Sequence, residues 1–166
     1  MTLNPATGDA TIELMVLEVA AAQYAVLVHE VDEVLRASEI VPLPGAPRVV
    51  EGVIDYRGRI VPVLDLRARF GHPRRAVRPE DHYVVLRAAH RVLTLRTDRV
   101  LGLARVSADQ VHASDAIAAR TQFVAGLATL PDGVVLIVDA AAFLSESETI
   151  LLDDALATGD RAAARG

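Results

Sequence analysis

The side chains that carry most enzyme chemistry are sparse in this sequence and poorly spaced for it. There are five histidines, His29, His72, His82, His90 and His112. No two stand at the i, i+4 spacing that sets a metal-ligating pair on one helix face, and no His-Glu-x-x-His occurs. Cysteine is absent, which removes thiolate nucleophiles, disulfides and Cys-based metal sites and fits a reducing compartment. Lysine is absent too, and all 17 basic residues are arginine. A Walker-type phosphate loop needs its lysine and a Schiff base needs a primary amine, so neither is available. The five serines stand outside any Gly-x-Ser-x-Gly elbow, and there is no Gly-x-Gly-x-x-Gly fingerprint. Acidic neighbours such as Asp153-Asp154 or Glu30/Glu33 lack a partner constellation and read as solvated faces. The sequence therefore predicts no catalytic residue, no cofactor and no metal.

What remains is docking chemistry. Glu33 lies in the otherwise apolar segment Val31-Asp-Glu-Val34, and Arg57 lies at the tip or shoulder of the hairpin that follows. If the first half folds back on itself, the two can pair. Such a pair is either a surface ion pair worth ~0–1 kcal/mol or a partner-facing pair that sets register at an interface. Four apolar residues, Val31, Val34, Val100 and Leu103, occupy equivalent places in two related stretches. They are either plain core or the lining of an apolar groove that takes an amphipathic helix by its i, i+3, i+4, i+7 anchors.

The elements that must position these residues are short and mostly extended. Thr11–Val19 reads as a strand, Ala20–Gln23 as a turn, and Tyr24–Val28 as a strand with Tyr24, Val26 and Val28 on one face. Val31–Arg36 fits one helical turn or a short twisted strand. Pro42, Pro44, Gly45 and Pro47 make a loop, and Pro47 can open a brief helix over Arg48–Glu51. Val53–Tyr56 and Ile60–Asp65 flank Arg57-Gly58, a hairpin signal, with Pro62 marking an edge or a bulge. Leu66–Phe70 forms a helical turn that Gly71 closes. Residues 72–81 are polar and Pro-bounded, the best candidate for a boundary. Tyr83–Leu86, Val92–Leu95, Val100–Val106 and Val134–Val138 read as strands, and residues 107–122 as a loop or short helix.

An internal repeat is the strongest organisational signal. The stretch Gly52–Asp65 superimposes without gaps on Gly126–Asp139, matching Gly52 with Gly126, Val61 with Val135 and Asp65 with Asp139. Both copies run on into a short apolar segment ending at Phe70 or Leu144. Upstream, Val26–Val34 resembles Leu93–Val100 with one residue gapped. The reading is two similar small β-subdomains in tandem, about residues 11–71 and 82–148. Short strands with Gly/Pro turns favour closed barrels, because closure removes exposed edges. Residues 1–10 are expected to be disordered, and 149–166 to be a tail able to form a loosely docked helix.

Composition narrows the partners. The chain has 166 residues, 52% of them hydrophobic, enough for one ordinary domain with a real core. A net charge of −5 and the lack of an Arg-rich block interleaved with aromatics argue against nucleic acid. Met1–Ala10 has no basic region and no apolar core, so no signal peptide is expected. No apolar run approaches the ~20 residues of a membrane span, so no membrane insertion is expected and the cytoplasm is the default location.

The ordered set of short motifs resembles the CheW family of chemotaxis adaptors. Tyr24-Ala-Val-Leu-Val followed by Val31-Asp-Glu-Val34 looks like that family's tyrosine strand and its Val-x-Glu-Ile segment. Pro47–Arg67 contains Gly52-Val-Ile-Asp-Tyr-Arg-Gly-Arg-Ile-Val-Pro-Val-Leu-Asp-Leu-Arg67, similar to the family's Gly-Val-Ile-Asn-Leu-Arg-Gly-x-Ile-Val-Pro-Val-x-Asp-Leu-Arg. Thr97-Asp-Arg-Val-Leu-Gly-Leu103 and Gly126–Leu144 resemble two later family segments. The likeness runs in order from about Glu13 to Leu144. It implies a mainly β fold of two small five-stranded SH3-like barrels with short helices. It also implies a non-enzymatic adaptor, recruited to receptor arrays, that binds the cytoplasmic signalling tip of chemoreceptors and the regulatory domain of the histidine kinase CheA. Positions matching Val31, Glu33 and Arg57 affect receptor coupling in that family, and those matching Val100 and Leu103 lie near its receptor groove. The alternatives are an adaptor of a non-flagellar pathway, such as one driving pili, and a small-barrel enzyme with an unrecognised site. The chain departs from the family pattern at Asp55-Tyr56, where Asn-Leu is usual, and at Ala20-Ala-Ala, where the turn usually contains Gly.

Overall fold

Tyr24-Ala-Val-Leu27 is buried along its whole length, and its period-2 alternation divides it between two cores rather than between core and solvent. Tyr24 and Val26 enter one cluster, Ala25 and Leu27 another. The same division recurs along most strands and builds the molecule. It is seen in a computed structural model that describes residues 10–113 and 122–163. The elements are β1 (Thr11–Val19), β2 (Ala22–Leu27), β3 (Val31–Arg36), β4 (Val50–Tyr56), β5 (Arg59–Asp65), α1 (Leu66–Phe70), β6 (His82–Ala88) and β7 (Arg91–Thr97). They continue with β8 (Arg99–Ser107), β9 (Val111–Ala113), β10 (Val124–Leu130), β11 (Gly133–Val138) and α2 (Glu146–Ala163).

The strands form two sheets. One has six strands in the order β8-β1-β2-β11-β10-β9, the other five in the order β3-β6-β7-β5-β4. Each wraps a core of its own. Leu14, Leu27, Val106, Ala128 and Ile137 meet inside the first, and Ile54, Tyr56, Val63, Tyr83 and Val85 inside the second. A sheet whose strands all reach one interior cluster is curled into a barrel, the arrangement expected of short strands with few edges. A third and larger core, including Leu17, Val26, Leu64, Leu86, Leu95, Phe143 and Leu152, welds the two barrels face to face.

The division of the chain differs from the tandem expectation. Residues 11–71 and 82–148 are not the two barrels. The β1–β2 hairpin leaves the strands that follow it and pairs with β8 and β11. Residues 72–81 are not a boundary but a connection within the five-stranded sheet. The repeat itself is real, but it is permuted: β3–β7 corresponds to β8–β11 followed by β1–β2. In both copies a bulge precedes the glycine, between Val50 and Gly52 and between Val124 and Gly126, with Leu64 and Val138 as the equivalent partners. Asp65 N–H donates to the Val49 carbonyl, and Asp139 N–H to the Phe123 carbonyl, each at 2.8 Å. Sequence periodicity records which segments are alike, but not which hairpin closes which barrel, because that choice is made by long-range pairing.

Three local expectations also change. Arg48–Glu51 is a turn running into β4, closed by Val50 N–H on the Pro47 carbonyl, and not a helix. β5 is an interior strand despite Pro62. The proline pairs with Val53 on β4 but precedes the ladder to β7, which begins at Val63, so no cross-strand donor is missed. Residues 107–113 finish β8, make one 3-10 turn and form β9; residues 114–121 of that segment and 1–9 of the N-terminus lie outside the described residues. As far as Ala163 the tail is a docked helix, and residues 164–166 lie outside the described residues. Leu152 and Ala155 are buried, and Glu148 and Asp153 pair with Arg69 and Arg91. No helix among the described residues is long and apolar enough to cross a membrane.

Candidate functional site

The Glu33–Arg57 pair forms, and a β-bulge builds its setting. On β3, Val31 pairs with Leu86 and Glu33 with Val85, so Asp32 is the extra residue. Adjacent residues on a regular strand face opposite sides, but a bulge turns them to one side. Both carboxylates accordingly reach the Tyr56 hydroxyl, which donates to Asp32 Oδ2 at 2.7 Å and to Glu33 Oε2 at 2.9 Å. Arg57 Nη2 donates to Glu33 Oε2 at 2.8 Å, and Arg87 Nε donates to Asp32 Oδ1 at 2.9 Å. The Arg57 guanidinium also stands 5.2 Å from the centre of the Tyr56 ring, within cation–π range. Arg57 is held out by the β4–β5 turn, where Arg57 and Gly58 both have positive φ (53° and 77°), as a two-residue type I′ hairpin requires. The Asp55 carboxylate accepts the Gly58 N–H at 2.8 Å and fastens that turn.

The electrostatics follow the contacts. The Arg87 hydrogen bond, joined by that of Tyr56, holds the Asp32 carboxyl below the usual carboxylate range. The hydrogen bond to Asp32, with burial, pushes the Tyr56 phenol up to about 12. The two guanidiniums remain turned to solvent, with the Arg57 side chain 70% exposed.

The other barrel carries the equivalent corner in a different chemistry. Val100 pairs with Leu17 and Gly102 with Val16, leaving Leu101 as the bulged residue in the place of Asp32. At the β10–β11 turn, Leu130 and Pro131 stand where Tyr56 and Arg57 stand in the first barrel, since Leu130 pairs with Gly133 as Tyr56 pairs with Arg59. The result is a shallow, mainly apolar groove lined by Val16, Leu101, Leu103, Leu130 and Pro131, with Gln23 and Asp132 among its walls. Leu103 is 70% exposed there.

Val31, Val34 and Val100 are half-buried and pack against the core between the barrels, while Leu103 belongs to the apolar corner. Sequence reasoning found Glu33 and Arg57 but missed Asp32, Tyr56 and Arg87. The available signal was the Asp55-Tyr56 departure beside Arg57. The bulge that recruits Asp32 has no sequence signature.

A second polar cluster joins the barrels and was not foreseen. Arg67 donates to both Asp98 oxygens at 2.6 and 2.7 Å, and Arg75 bridges Asp98 and Asp81, each at 2.7 Å. Arg96, almost fully buried, reaches Glu51 at 2.6 Å and Asp81 at 3.3 Å. Asp98 also accepts the Ala20 N–H at 2.9 Å, which supports the β1–β2 turn where Ala20 and Ala21 both have positive φ. Burial opposes the Asp98 carboxylate, but the Arg67 and Ala20 hydrogen bonds outweigh it and hold its carboxyl at about 2. Each arginine of the cluster is paired with a carboxylate, which braces the seam, while Glu51 Oε2 and Arg96 Nε are buried without a hydrogen-bond partner.

Comparison with known proteins agrees with this architecture. The profile of the CheW-like domain matches residues 13–148. The chemotaxis protein CheW of Klebsiella aerogenes is 25% identical over 144 residues, 86% of this chain and 87% of that protein. The CheW of Thermotoga maritima is 31% identical over 99 residues, 60% of this chain and 65% of that one. In structure, the scaffolding protein TtCheW of Thermoanaerobacter tengcongensis superimposes with a TM-score of 0.76 at 24% identity, over 84% of this chain and 96% of its own.

Proposed function

The chain belongs to the CheW-like family, and on that footing we propose that it is a non-enzymatic cytoplasmic adaptor coupling chemoreceptors to a CheA-type histidine kinase. The observation that carries this reading is the match of the family profile over residues 13–148, nearly all of the duplicated barrel structure. The geometry supports it. Two equivalent corners of opposite chemistry give an adaptor two distinguishable docking faces. A welded core and a braced seam let a load on one barrel be felt by the other. Coupling then means a bias between kinase states, supplied by contacts that differ between those states.

In this reading Val31, Glu33, Val34, Arg57, Val100 and Leu103 serve the partner interface: Glu33 and Arg57 at the polar corner, Leu103 at the apolar one, and the three valines beneath the seam. The test is capture by two immobilised probes, a chemoreceptor cytoplasmic tip and the CheA regulatory domain. Both are expected to retain the protein, and retention by neither overturns the proposal. Arg57→Glu replaces a mostly exposed cation by an anion facing Glu33. It is expected to weaken capture by at least one probe while leaving the thermal unfolding midpoint nearly unchanged.

A further inference from the structure

We propose that Tyr56 is a positioning residue of the polar corner, whose hydroxyl, shared by Asp32 and Glu33, sets the Glu33–Arg57 pair in the geometry a partner reads. The proposal rests on the adaptor reading above and deepens it.

The argument starts from where the tyrosine is anchored. Its ring is packed in the interior of the five-stranded barrel with Ile54, Val61, Val63, Tyr83 and Val85. Its hydroxyl reaches the two carboxylates beside the β3 bulge. A ring held by a close-packed core is a rigid post, because interiors leave little room for rotamer change. Glu33 and Arg57 have no such anchor. The Arg57 side chain is 70% exposed and that of Glu33 34% exposed, and a solvated pair of long side chains samples many arrangements. The hydroxyl holds Glu33 at 2.9 Å and Asp32 at 2.7 Å, and Arg87 fixes Asp32 from the far side at 2.9 Å. One hydroxyl proton serves two acceptors, so the carboxylates converge on the post instead of diverging from each other's charge. Arg57 spends only Nη2 on Glu33, and with the side chain 70% exposed its other donors are available to an acceptor on the partner. Leu130 occupies the equivalent place in the other barrel and has no such group, so this brace distinguishes one corner from the other.

The test uses Tyr56→Phe, which keeps the buried ring and the face under Arg57 and removes only the hydroxyl. Binding of a chemoreceptor tip and of the CheA regulatory domain is measured for wild type, Y56F, Glu33→Gln and the double variant. Y56F is expected to weaken the affected partner about three- to tenfold. The effect of Glu33→Gln is expected to shrink at least twofold in the Y56F background. A tyrosine serving only fold stability would lower the unfolding midpoint and leave the Glu33→Gln effect on binding at full size, and that result overturns the proposal. If wild type binds neither probe, the adaptor reading falls. The positioning claim is then decided by urea unfolding, in a Glu33/Arg57 double-mutant cycle run once in the wild-type background and once in the Y56F background. Loss of that coupling in Y56F supports it, and unchanged coupling overturns it.

Discussion

The two barrel corners share register and bulge but differ in turn and side chains: Arg57 and Gly58 both take positive φ at one turn, while Pro131 and Asp132 at the other do not. One presents Asp32, Glu33, Tyr56 and Arg57; the other presents Leu101, Gly102, Leu130 and Pro131 in the same places. Duplication supplied a common scaffold, and a handful of side chains then made one face polar and directional and the other apolar. An adaptor built this way can separate two partners by chemistry without evolving two folds. A polar corner discriminates through hydrogen bonds that a wrong partner leaves unmade, and an apolar one contributes mainly area.

The largest effect should come from breaking the frame on which both corners stand. Asp98→Ala leaves Arg67 and Arg75 without a shared acceptor at a mostly buried seam, and it strips support from the positive-φ turn at Ala20-Ala21. A loss of about 3–5 kcal/mol in urea unfolding is expected, the range for removing one partner of a buried ion pair. The intact protein should show the same dependence in its acid limb. The Asp98 carboxyl lies at about 2 when folded, below its unfolded range, so its contribution is whole above about pH 4 and is lost as pH falls towards 2. Asp98→Asn should flatten that limb.

A smaller and more selective effect separates the corners themselves. The Tyr56 phenol is raised to about 12, so the folded state keeps its proton longer than the unfolded chain. The stabilisation is complete below the ordinary tyrosine range near ~10 and is lost as pH rises from there to about 12. Tyr83, raised by burial, adds to the same limb, so the informative measurement is the difference between wild type and Y56F in alkaline unfolding. An identical limb in both would mean the hydroxyl is not held as described. The smallest effects on stability belong to the outermost residues. Glu33→Gln should cost no more than about 1 kcal/mol. Leu103→Ser, at a site 70% exposed, should fall within about 0.5 kcal/mol by thermal melting. Any loss of partner binding in either variant would then report on docking and not on folding.

Much of this was legible in the chain. Most strand positions followed from period-2 patterning, the β4–β5 hairpin from Arg57-Gly58, and the α1 turn from its closing Gly71, while β3 stayed open between a helical turn and a strand and β9 fell in a segment read as a loop or short helix. The duplicated Gly52–Asp65 frame reproduced itself down to equivalent bulges and equivalent Asp backbone bonds. The Glu33–Arg57 pair was legible because both residues were polar exceptions in apolar surroundings. Asp32 was not, since alternation places it opposite Glu33 and only the bulge reverses that. The seam cluster was not either: its arginines and acids come from residues 51, 67, 75, 81, 96 and 98, and no local rule links such positions.

By itself, the order of residues determined that this is a β-rich duplicated protein with little reactive chemistry and a charged exception beside a hairpin, because those properties depend on neighbours a few positions apart. Only the tertiary structure decided that the repeats are permuted between barrels, that Asp32 joins Glu33 on the Tyr56 hydroxyl, and that buried arginines lock the seam. Each of those outcomes depends on which distant strands pair and in what register, a choice made by the packing of the whole chain and invisible to any window along it.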